Sequence, residues 1–279
     1  MTLVLRHPVM IAAGCGGTGP ELAPYVEMAD LPFVTRTLTR DPRAGSPGAR
    51  MAESPSGLLN AIGMDNPGVA HFLEHELPWL VRAGAQVFVS LAGSTLGEYA
   101  ELARRVGAAP GVAGIEVNVS APDPGGAGIF EAREPFHAAS AVAAVRRATP
   151  ADLPVLAKLR PDVARVVESA RAAVEAGATA VVVGNAVPAA LPGGRPAGLT
   201  GPAIAPVALR CVTEVCGRLP QVVVVGCGGV ADVAGARALL GAGAAAVQVG
   251  TALLRDPTTA MRLLAALGTD PSTRPREEP

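Results

Sequence analysis

Two stretches of the sequence place side chains with useful chemistry at the end of an apolar, β-branched run. Residues 114–118 are predicted to form a buried strand that ends at Asn118, and Ser120 follows in a loop of prolines and glycines. Lys158 lies near the end of a second such run, residues 154–159. Loops that follow buried parallel strands carry the active sites of barrel enzymes. The alternative for the first stretch is an ordinary surface loop after a core strand.

Glycines follow two further β-branched runs near the C-terminus. Residues 226–229 read Gly-Cys-Gly-Gly, and residues 250–251 read Gly-Thr. Backbone N–H groups that no side chain obstructs, followed by helix N-termini, form a cradle for a phosphate group. The alternative is that these glycines only make tight turns between strand and helix.

Lys158 needs a partner, because burying an unpaired ammonium in an apolar strand is costly. An anionic ligand or a hydrogen-bond acceptor would provide one. A flavin ring is such a ligand, since its N1 and C2 carbonyl gain negative charge on reduction. A salt bridge to a nearby carboxylate is the alternative.

The elements that must position these residues alternate along the chain: short β-branched runs are followed by longer segments in which apolar residues recur at helical spacing. The predicted strands are residues 9–12, 33–38, 85–91, 114–118, 154–159, 180–184, 221–226 and 245–250, and the predicted helices are residues 95–106, 135–148, 163–176, 203–218, 230–242 and 257–267. Eight strands in this rhythm predict an α/β fold, a closed (β/α)8 TIM barrel. A doubly wound open sheet is the alternative, since βα units build both.

We expect a single barrel domain over residues 1–268. Residues 40–78, rich in Pro, Gly and Asn, are predicted to be a segment inserted at the active site. Residues 269–279 are polar and proline-rich, and we expect a disordered tail there.

Composition excludes several classes of protein. The 279 residues carry a formal net charge of -1, which gives no electrostatic footprint for nucleic acid or an anionic membrane. Four cysteines lack a CxxC pair or a His/Cys cluster, so we predict neither a metal site nor a disulfide framework. No secretion signal and no uninterrupted apolar span is recognisable, and we expect a soluble, cytoplasmic protein.

Seven motifs together resemble the dihydroorotate dehydrogenase family, and most of all its class 1B catalytic subunit. They are residues 12–15 (AAGC), 53–68 (ESPSGLLNAIGMDNPG), 116–120 (EVNVS), 158–161 (KLRP), 198–204 (GLTGPAI), 226–229 (GCGG) and 250–251 (GT). The likeness runs from Pro8 to about Pro257. It implies an FMN-binding (β/α)8 barrel of pyrimidine biosynthesis, in which dihydroorotate is oxidised to orotate and hydride passes to flavin N5.

The resemblance also implies roles for individual residues. The flavin phosphate is assigned to Gly228, Gly229, Gly250 and Thr251, with Gly201 close by, and the edge of the flavin ring to Lys158. Further flavin contacts are assigned to Ala13, Gly14, Arg36, Thr37, Ser90, Asn118 and Gly184. The implied substrate-binding set is Arg36, Asn60, Gly63, Met64, Asn118, Asp123, Asn185 and Ala186. Asparagine suits a planar imide, because its side chain both donates and accepts hydrogen bonds. Asn60 could instead be a turn residue.

The sequence departs from the family pattern around the substrate. Ala121 stands where relatives have the general base, a Cys or a Ser, and a methyl group cannot accept a proton. Asp123 replaces an Asn that contacts orotate, and Arg36 replaces a Lys. The loop at residues 186–197 is shorter than usual. Asp123 is one candidate for the missing base and Ser120 is another, although Ser120 only supports the loop in relatives.

Three functions from different classes follow. The protein is a dihydroorotate dehydrogenase with an altered substrate site, a flavoenzyme that has diverged toward another small cyclic substrate, or a flavin-binding protein without turnover. Class 1B relatives form a homodimer of catalytic chains and pair with a second subunit that carries FAD and an iron–sulfur cluster. The cysteines here lack cluster-binding spacing, so any such cluster belongs to another chain.

Overall fold

The computed structural model describes residues 3–120 and 134–268. The strands are β1 (Val9–Ile11), β2 (Pro32–Val34), β3 (Met51–Ser54), β4 (Gly57–Asn60), β5 (Gln86–Leu91), β6 (Val112–Asn118), β7 (Val155–Leu159), β8 (Ala180–Val183), β9 (Val187–Ala190), β10 (Pro196–Thr200), β11 (Val224–Cys227) and β12 (Ala246–Val249). The helices are α1 (Gly68–His71), α2 (Leu77–Arg82), α3 (Leu96–Gly107), α4 (Pro135–Ala148), α5 (Val166–Glu175), α6 (Ala205–Arg218), α7 (Val233–Gly241), α8 (Ala252–Arg255) and α9 (Thr259–Gly268).

Eight of these strands close into a parallel barrel in the order β1-β12-β11-β8-β7-β6-β5-β2. The predicted (β/α)8 barrel is therefore confirmed, and the open sheet is excluded. Each of the eight predicted strands overlaps one barrel strand. The largest difference is in β2, which ends at Val34 although the prediction continued to residue 38. Beyond Val34 the chain turns toward the mouth of the barrel, and Leu38 keeps only an isolated bridge to Leu91.

The barrel strands alternate between two apolar cores. In β7, Val155, Ala157 and Leu159 pack outward against the helices, whereas Leu156 packs inside the barrel. Because strand side chains alternate with period two, Lys158 shares the inward face with Leu156. The interior core is small and is completed by residues such as Met10 and Phe88.

Glycines end two helices just before a barrel strand begins. Gly177 follows α5 with φ +102°, and Gly243 follows α7 with φ +106°, both in the left-handed region that glycine tolerates. A side chain at Gly177 would lie 2.7 Å from Arg146 Cγ, and one at Gly243 would lie 2.9 Å from Cys216 Cβ. The turns therefore need glycine both for their backbone conformation and for close packing against the neighbouring helix.

Residues 40–78 contain elements that the sequence reasoning did not resolve. β3 and β4 form a hairpin, and a π-helical segment, Phe72–Glu76, joins α1 to α2. The resulting helix is the first helix of the barrel. Pro67 and Gly68 at its start and Pro78 within it explain why this helix was not predicted from the sequence.

A second sheet, in the order β3-β4-β10-β9, joins the hairpin in residues 40–78 to another hairpin in residues 187–200. The sequence reasoning treated residues 186–197 only as a short loop. Arg195 connects the two segments, because its guanidinium donates to the carbonyl oxygens of Pro47 and Ala49. Of the helices in the described residues, none is long and apolar enough to cross a bilayer.

Candidate active site

A cavity of about 440 Å³ lies at the carboxyl ends of the barrel strands, below the second sheet. Its volume is within the range of roughly 300–1,000 Å³ that is usual for small-molecule sites. The walls come from the segments after β1, β2, β8, β11 and β12, from the ends of β6 and β7, and from the second sheet. The barrel therefore brings residues from seven of its strands to one site.

Lys158 is 4% exposed and lies at the inner end of this cavity. Its ammonium donates to Gln248 Oε1 at 2.6 Å and lies 3.3 Å from Glu116 Oε1. Gln248 Nε2 in turn donates to Glu116 Oε2 at 2.6 Å. The three side chains thus form a closed ring of contacts across the barrel interior, which we call the Lys158 triad.

The Lys158 triad carries one positive and one negative charge in a dry environment. Burial lowers the pKa of Lys158, but the neighbouring Cys227 and Glu116 raise it by more, so its pKa lies above the ordinary value. Burial also raises the pKa of the Cys227 thiol, which is therefore neutral at neutral pH. The Glu116 carboxylate is the neighbour that contacts the Lys158 ammonium directly, at 3.3 Å.

A chain of neutral hydrogen bonds runs along one wall of the cavity. Asn118 Nδ2 donates to Thr37 Oγ1 at 3.0 Å, and Thr37 Oγ1 lies 2.9 Å from Ser90 Oγ. Asn185 Nδ2 donates to Ser120 Oγ at 2.7 Å, and Ser120 Oγ donates to Asn118 Oδ1 at 3.4 Å. This network fixes the two carboxamides, Asn118 and Asn185, at the edge of the cavity.

Arg36, next to Thr37 in the chain, also lines the cavity, and its side chain donates to a main-chain carbonyl group. Its Nη1 donates to the Asp65 carbonyl oxygen at 3.1 Å, and within the described part of the chain its buried Nε has no hydrogen-bond partner. The Asp65 carboxylate accepts from Arg50 Nη1 at 2.9 Å. The preceding Met64 has φ 55°, a strained conformation for a non-glycine residue, and Asn66 Nδ2 secures it by donating to the Met64 carbonyl oxygen at 2.7 Å.

Glycines form the other end of the cavity. Gly228 and Gly229 have φ +128° and +73°, and a side chain on Gly229 would lie 2.5 Å from Ala205 Cβ. Gly201, with φ +84°, faces them across the cavity beside Thr251. Glycine is required at position 229 for close packing against Ala205 at the start of α6. Because Gly201, Gly228 and Gly229 all line the cavity, this end presents mainly main chain.

Most of the residues singled out from the sequence line this cavity. They are Ala13, Gly14, Arg36, Thr37, Asn60, Gly63, Met64, Asn118, Lys158, Asn185, Ala186, Gly201, Gly228, Gly229, Gly250 and Thr251. Ser90, Ser120 and Gly184 do not line it. Ser90 and Ser120 lie behind Thr37 and Asn118 in the hydrogen-bond network, and Gly184 allows β8 to approach Cys227, whose carbonyl oxygen would lie 1.7 Å from an added Cβ. Ala121 and Asp123 are outside the described residues.

Four residues of the site were not predicted from the sequence: Glu116, Gln248, Arg50 and Asp65. Glu116 and Gln248 had a recognisable signal: each is a single polar residue inside a β-branched run, at the inward-facing position. Arg50 and Asp65 lie in the irregular segment at residues 40–78 and gave no such signal. The four cysteines are free, and the described residues contain no cluster of His, Cys, Asp or Glu that could hold a metal ion.

Comparison with known proteins agrees with the geometry. The family model described as dihydroorotate dehydrogenase matches residues 1–269. The chain belongs to the dihydroorotate dehydrogenase family. Among the relatives in this family, the catalytic subunit of dihydroorotate dehydrogenase B (NAD(+)) from Pelobacter propionicus is 42% identical over 271 residues, which cover 94% of this chain and 88% of the relative. The subunit of the same name from Trichlorobacter lovleyi is 43% identical over 272 residues, with the same coverage.

A solved structure has the same fold as this dihydroorotate dehydrogenase family chain. The crystal structure of Eimeria tenella dihydroorotate dehydrogenase in complex with ferulenol matches with a TM-score of 0.79 and 21% sequence identity. The match covers 94% of this chain and 81% of the other. At this identity the likeness supports the barrel fold alone.

Proposed function

We propose that this protein is an FMN-dependent oxidoreductase that acts on the CH–CH bond of dihydroorotate and yields orotate. The observation that carries the proposal is one continuous cavity that joins a glycine-lined end, the Lys158 ammonium and a set of fixed carboxamides. The curated relatives at 42–43% identity are named for this activity, which supports the same assignment.

The residues present fit FMN. Gly201, Gly228 and Gly229 line this end of the cavity and carry no side chains, so main-chain N–H groups can come close to a ligand there, as a phosphate requires. The Lys158 ammonium lies at the inner end of the same cavity, where it suits the N1 and C2 carbonyl of a flavin ring. We propose that Gly201, Gly228, Gly229, Gly250 and Thr251 hold the phosphate and that Ala13, Gly14, Thr37 and Lys158 contact the ring.

Bound FMN would supply the hydride acceptor, and the chain's own residues would bind and orient the substrate. Asn60, Asn118 and Asn185 offer carboxamides whose donors and acceptors match a planar imide. Arg36 brings a positive charge to the same space, where an anionic carboxylate group suits it. The hydrogen-bond network behind Asn118 and Asn185 holds these groups in place before the substrate arrives.

We propose that Asp123 removes the proton from C5 of dihydroorotate in place of the usual Cys or Ser, whose position is Ala121. Two competing groups are less suited. Ser120 has carboxamide partners, Asn118 and Asn185, and neither can take up its proton. Burial raises the pKa of Cys15 to about 11, so this thiol is a poor base precursor at neutral pH.

The test is anaerobic bleaching of the bound flavin by dihydroorotate, followed at its visible absorbance. Bleaching is expected in the wild type, and Asp123→Asn is expected to slow it by more than tenfold, since general-base catalysis is worth about 10²–10⁴-fold. An equal rate in Asp123→Asn would remove Asp123 from the mechanism. Flavin that dithionite reduces but dihydroorotate does not would contradict the substrate assignment and favour another small cyclic substrate or a protein without turnover.

We further propose a separate electron-transfer subunit and a cytoplasmic homodimer. The relatives from Pelobacter and Trichlorobacter are named as catalytic subunits of an enzyme that uses NAD(+), which supports a partner chain. The described cysteines are free and scattered, so FAD and an iron–sulfur cluster would be carried by that partner. Light scattering of the isolated chain tests the dimer. If NAD(+) reoxidises the reduced flavin of the isolated chain with no added subunit, the proposal of a partner subunit is wrong.

A further inference from the structure

Lys158 is the sole lysine of the chain. The sequence contains 23 basic residues, and every other one is arginine. Arginine therefore serves at all the other basic positions, and the lysine lies at a buried position. The two side chains differ in ways that matter there: an ammonium is compact, presents three donors, and loses its proton readily when it is buried without a partner. A buried lysine at such a site needs something that fixes both its position and its charge.

The Lys158 triad provides this through three contacts that close on one another. Glu116 and Lys158 come from the adjacent strands β6 and β7, two residues apart in register, because Asn118 pairs with Lys158 and Glu116 pairs with Leu156. Gln248 lies on β12 across the barrel. Its carboxamide accepts from Lys158 with one end and donates to Glu116 with the other.

The contacts leave little freedom to the ammonium. All three residues are at most 4% exposed, so water cannot readily replace a lost partner. The charged or titratable groups around Lys158 are Glu116 on β6, Cys227 on β11, and Cys15 after β1. Burial raises the pKa of both thiols, which leaves Glu116 as the charged neighbour at neutral pH.

We propose that Glu116, both directly and through Gln248, is a positioning residue that fixes the place and the charge of the Lys158 ammonium at the inner end of the cavity. The consequence of this role rests on the proposed function: a flavin bound at this end of the cavity meets the same positive charge at every physiological pH. Neither Glu116 nor Gln248 needs to react with the substrate for this role.

The first experiment does not depend on a flavin. Because there is one lysine, lysine-selective ¹³C labelling of the full chain gives a single side-chain signal, whose ¹³Cε shift reports protonation. In the wild type we expect this signal to stay constant from pH 6 to 10, since the pKa of Lys158 lies above its ordinary value. In Glu116→Gln the burial remains but the opposing charge is gone, so the signal is expected to titrate within this range.

Three further variants sharpen this measurement. Gln248→Met keeps the ion pair and removes the bridge, so we expect Lys158 to lose its proton at a pH between those of the wild type and Glu116→Gln. Glu116→Asp is expected to restore the constant signal, because it retains the charge. Glu214→Gln removes a carboxylate that pairs with arginines on α6 and is expected to match the wild type. Wild-type titration below pH 10, or a Glu116→Gln curve that equals the wild type, would overturn the proposal.

The second experiment measures the affinity for reduced relative to oxidised FMN, from the reduction potential of the bound flavin, across the same pH range. We compare the ratio of the affinity for reduced FMN to that for oxidised FMN in Glu116→Gln with the same ratio in the wild type at each pH. Once Lys158 loses its proton in the variant, its ratio is expected to fall below the wild-type ratio by up to about tenfold per pH unit. A merely structural role for Glu116 would give parallel pH profiles and would refute the inference. If the protein takes up no FMN at all, the proposed function fails, and the lysine titration still decides the role of Glu116.

Discussion

Removing one charge of the Lys158 triad should cost far more stability than removing both. The ammonium and Glu116 Oε1 are 3.3 Å apart, and the side chains are 5% and 0% exposed. At an effective dielectric constant of ~20 their attraction is about 5 kcal/mol, most of which offsets the cost of burying the two charges. Lys158→Met and Glu116→Gln each leave one buried charge without its partner, so each should lower the free energy of unfolding by about 3–5 kcal/mol.

The double variant Lys158→Met/Glu116→Gln carries no buried charge. Its two remaining carboxamides, at positions 116 and 248, can hydrogen-bond to each other, so its loss should be smaller than that of either single variant. Urea unfolding of flavin-free protein at pH 7, followed by circular dichroism, gives the coupling energy, which we expect to exceed about 2 kcal/mol. The matched surface cycle, Glu214→Gln with Arg218→Met, should give only about 0.3–0.5 kcal/mol. Additive losses in the Lys158 cycle would show that the 3.3 Å contact carries no energy.

Three more outcomes follow from the structure. Gly229→Ala should abolish flavin uptake and destabilise the protein, because its Cβ would lie 2.5 Å from Ala205 Cβ. Gly250→Ala should destabilise the protein less, since its nearest contact is Cys15 Sγ at 3.3 Å, and thermal unfolding with and without FMN separates the two effects. Tyr99→Phe should cost about 1–2 kcal/mol in urea unfolding, because the Tyr99 hydroxyl donates to the buried Asn118 carbonyl oxygen at 2.9 Å. Iodoacetamide should alkylate native Cys15 on the order of a hundredfold more slowly at pH 8 than in unfolded protein, and faster as the pH rises toward its pKa of about 11. Equal rates in mass-spectrometric mapping would contradict the raised pKa of this thiol.

The barrel could be predicted because its strands are short, uniformly apolar runs that are easily recognised in the sequence. Runs such as residues 180–183 and 222–225 consist of valine and alanine. Glycines at 177 and 243 mark the helix ends before the strands that begin at residues 180 and 246. The helix that contains α1 and α2 could not be predicted, because Gly68 begins it and Pro78 lies inside its sequence span. The second sheet was also missed. It forms only when two segments more than a hundred residues apart meet, and neither hairpin has a strong local signal.

The site was only partly predictable for a related reason. Asn118, Lys158 and the terminal glycines follow apolar strands, so local pattern was enough to suggest them. From the sequence, the buried Lys158 ammonium was expected to be paired either with a carboxylate or with a ligand. In the structure the ammonium contacts Glu116, and Lys158 also lines the cavity. Glu116 and Gln248 were overlooked as isolated polar residues within strands. Their meaning depends on barrel closure, which brings β12 opposite β6 and β7.

The second sheet ties the formation of the cavity to the order in which the chain is made. Asn60 on β4 pairs with Gly198 on β10, and its side-chain Nδ2 donates to the Gly198 carbonyl oxygen at 3.2 Å. During synthesis, well over a hundred further residues must therefore be added after the β3–β4 hairpin before its partner strand β10 is available to pair. The glycine-lined end of the cavity is made later still, after β11 and β12. A ligand that contacts the whole cavity can bind only after the barrel has closed. The fraction of chains that carry the ligand therefore reports the fraction that have folded completely.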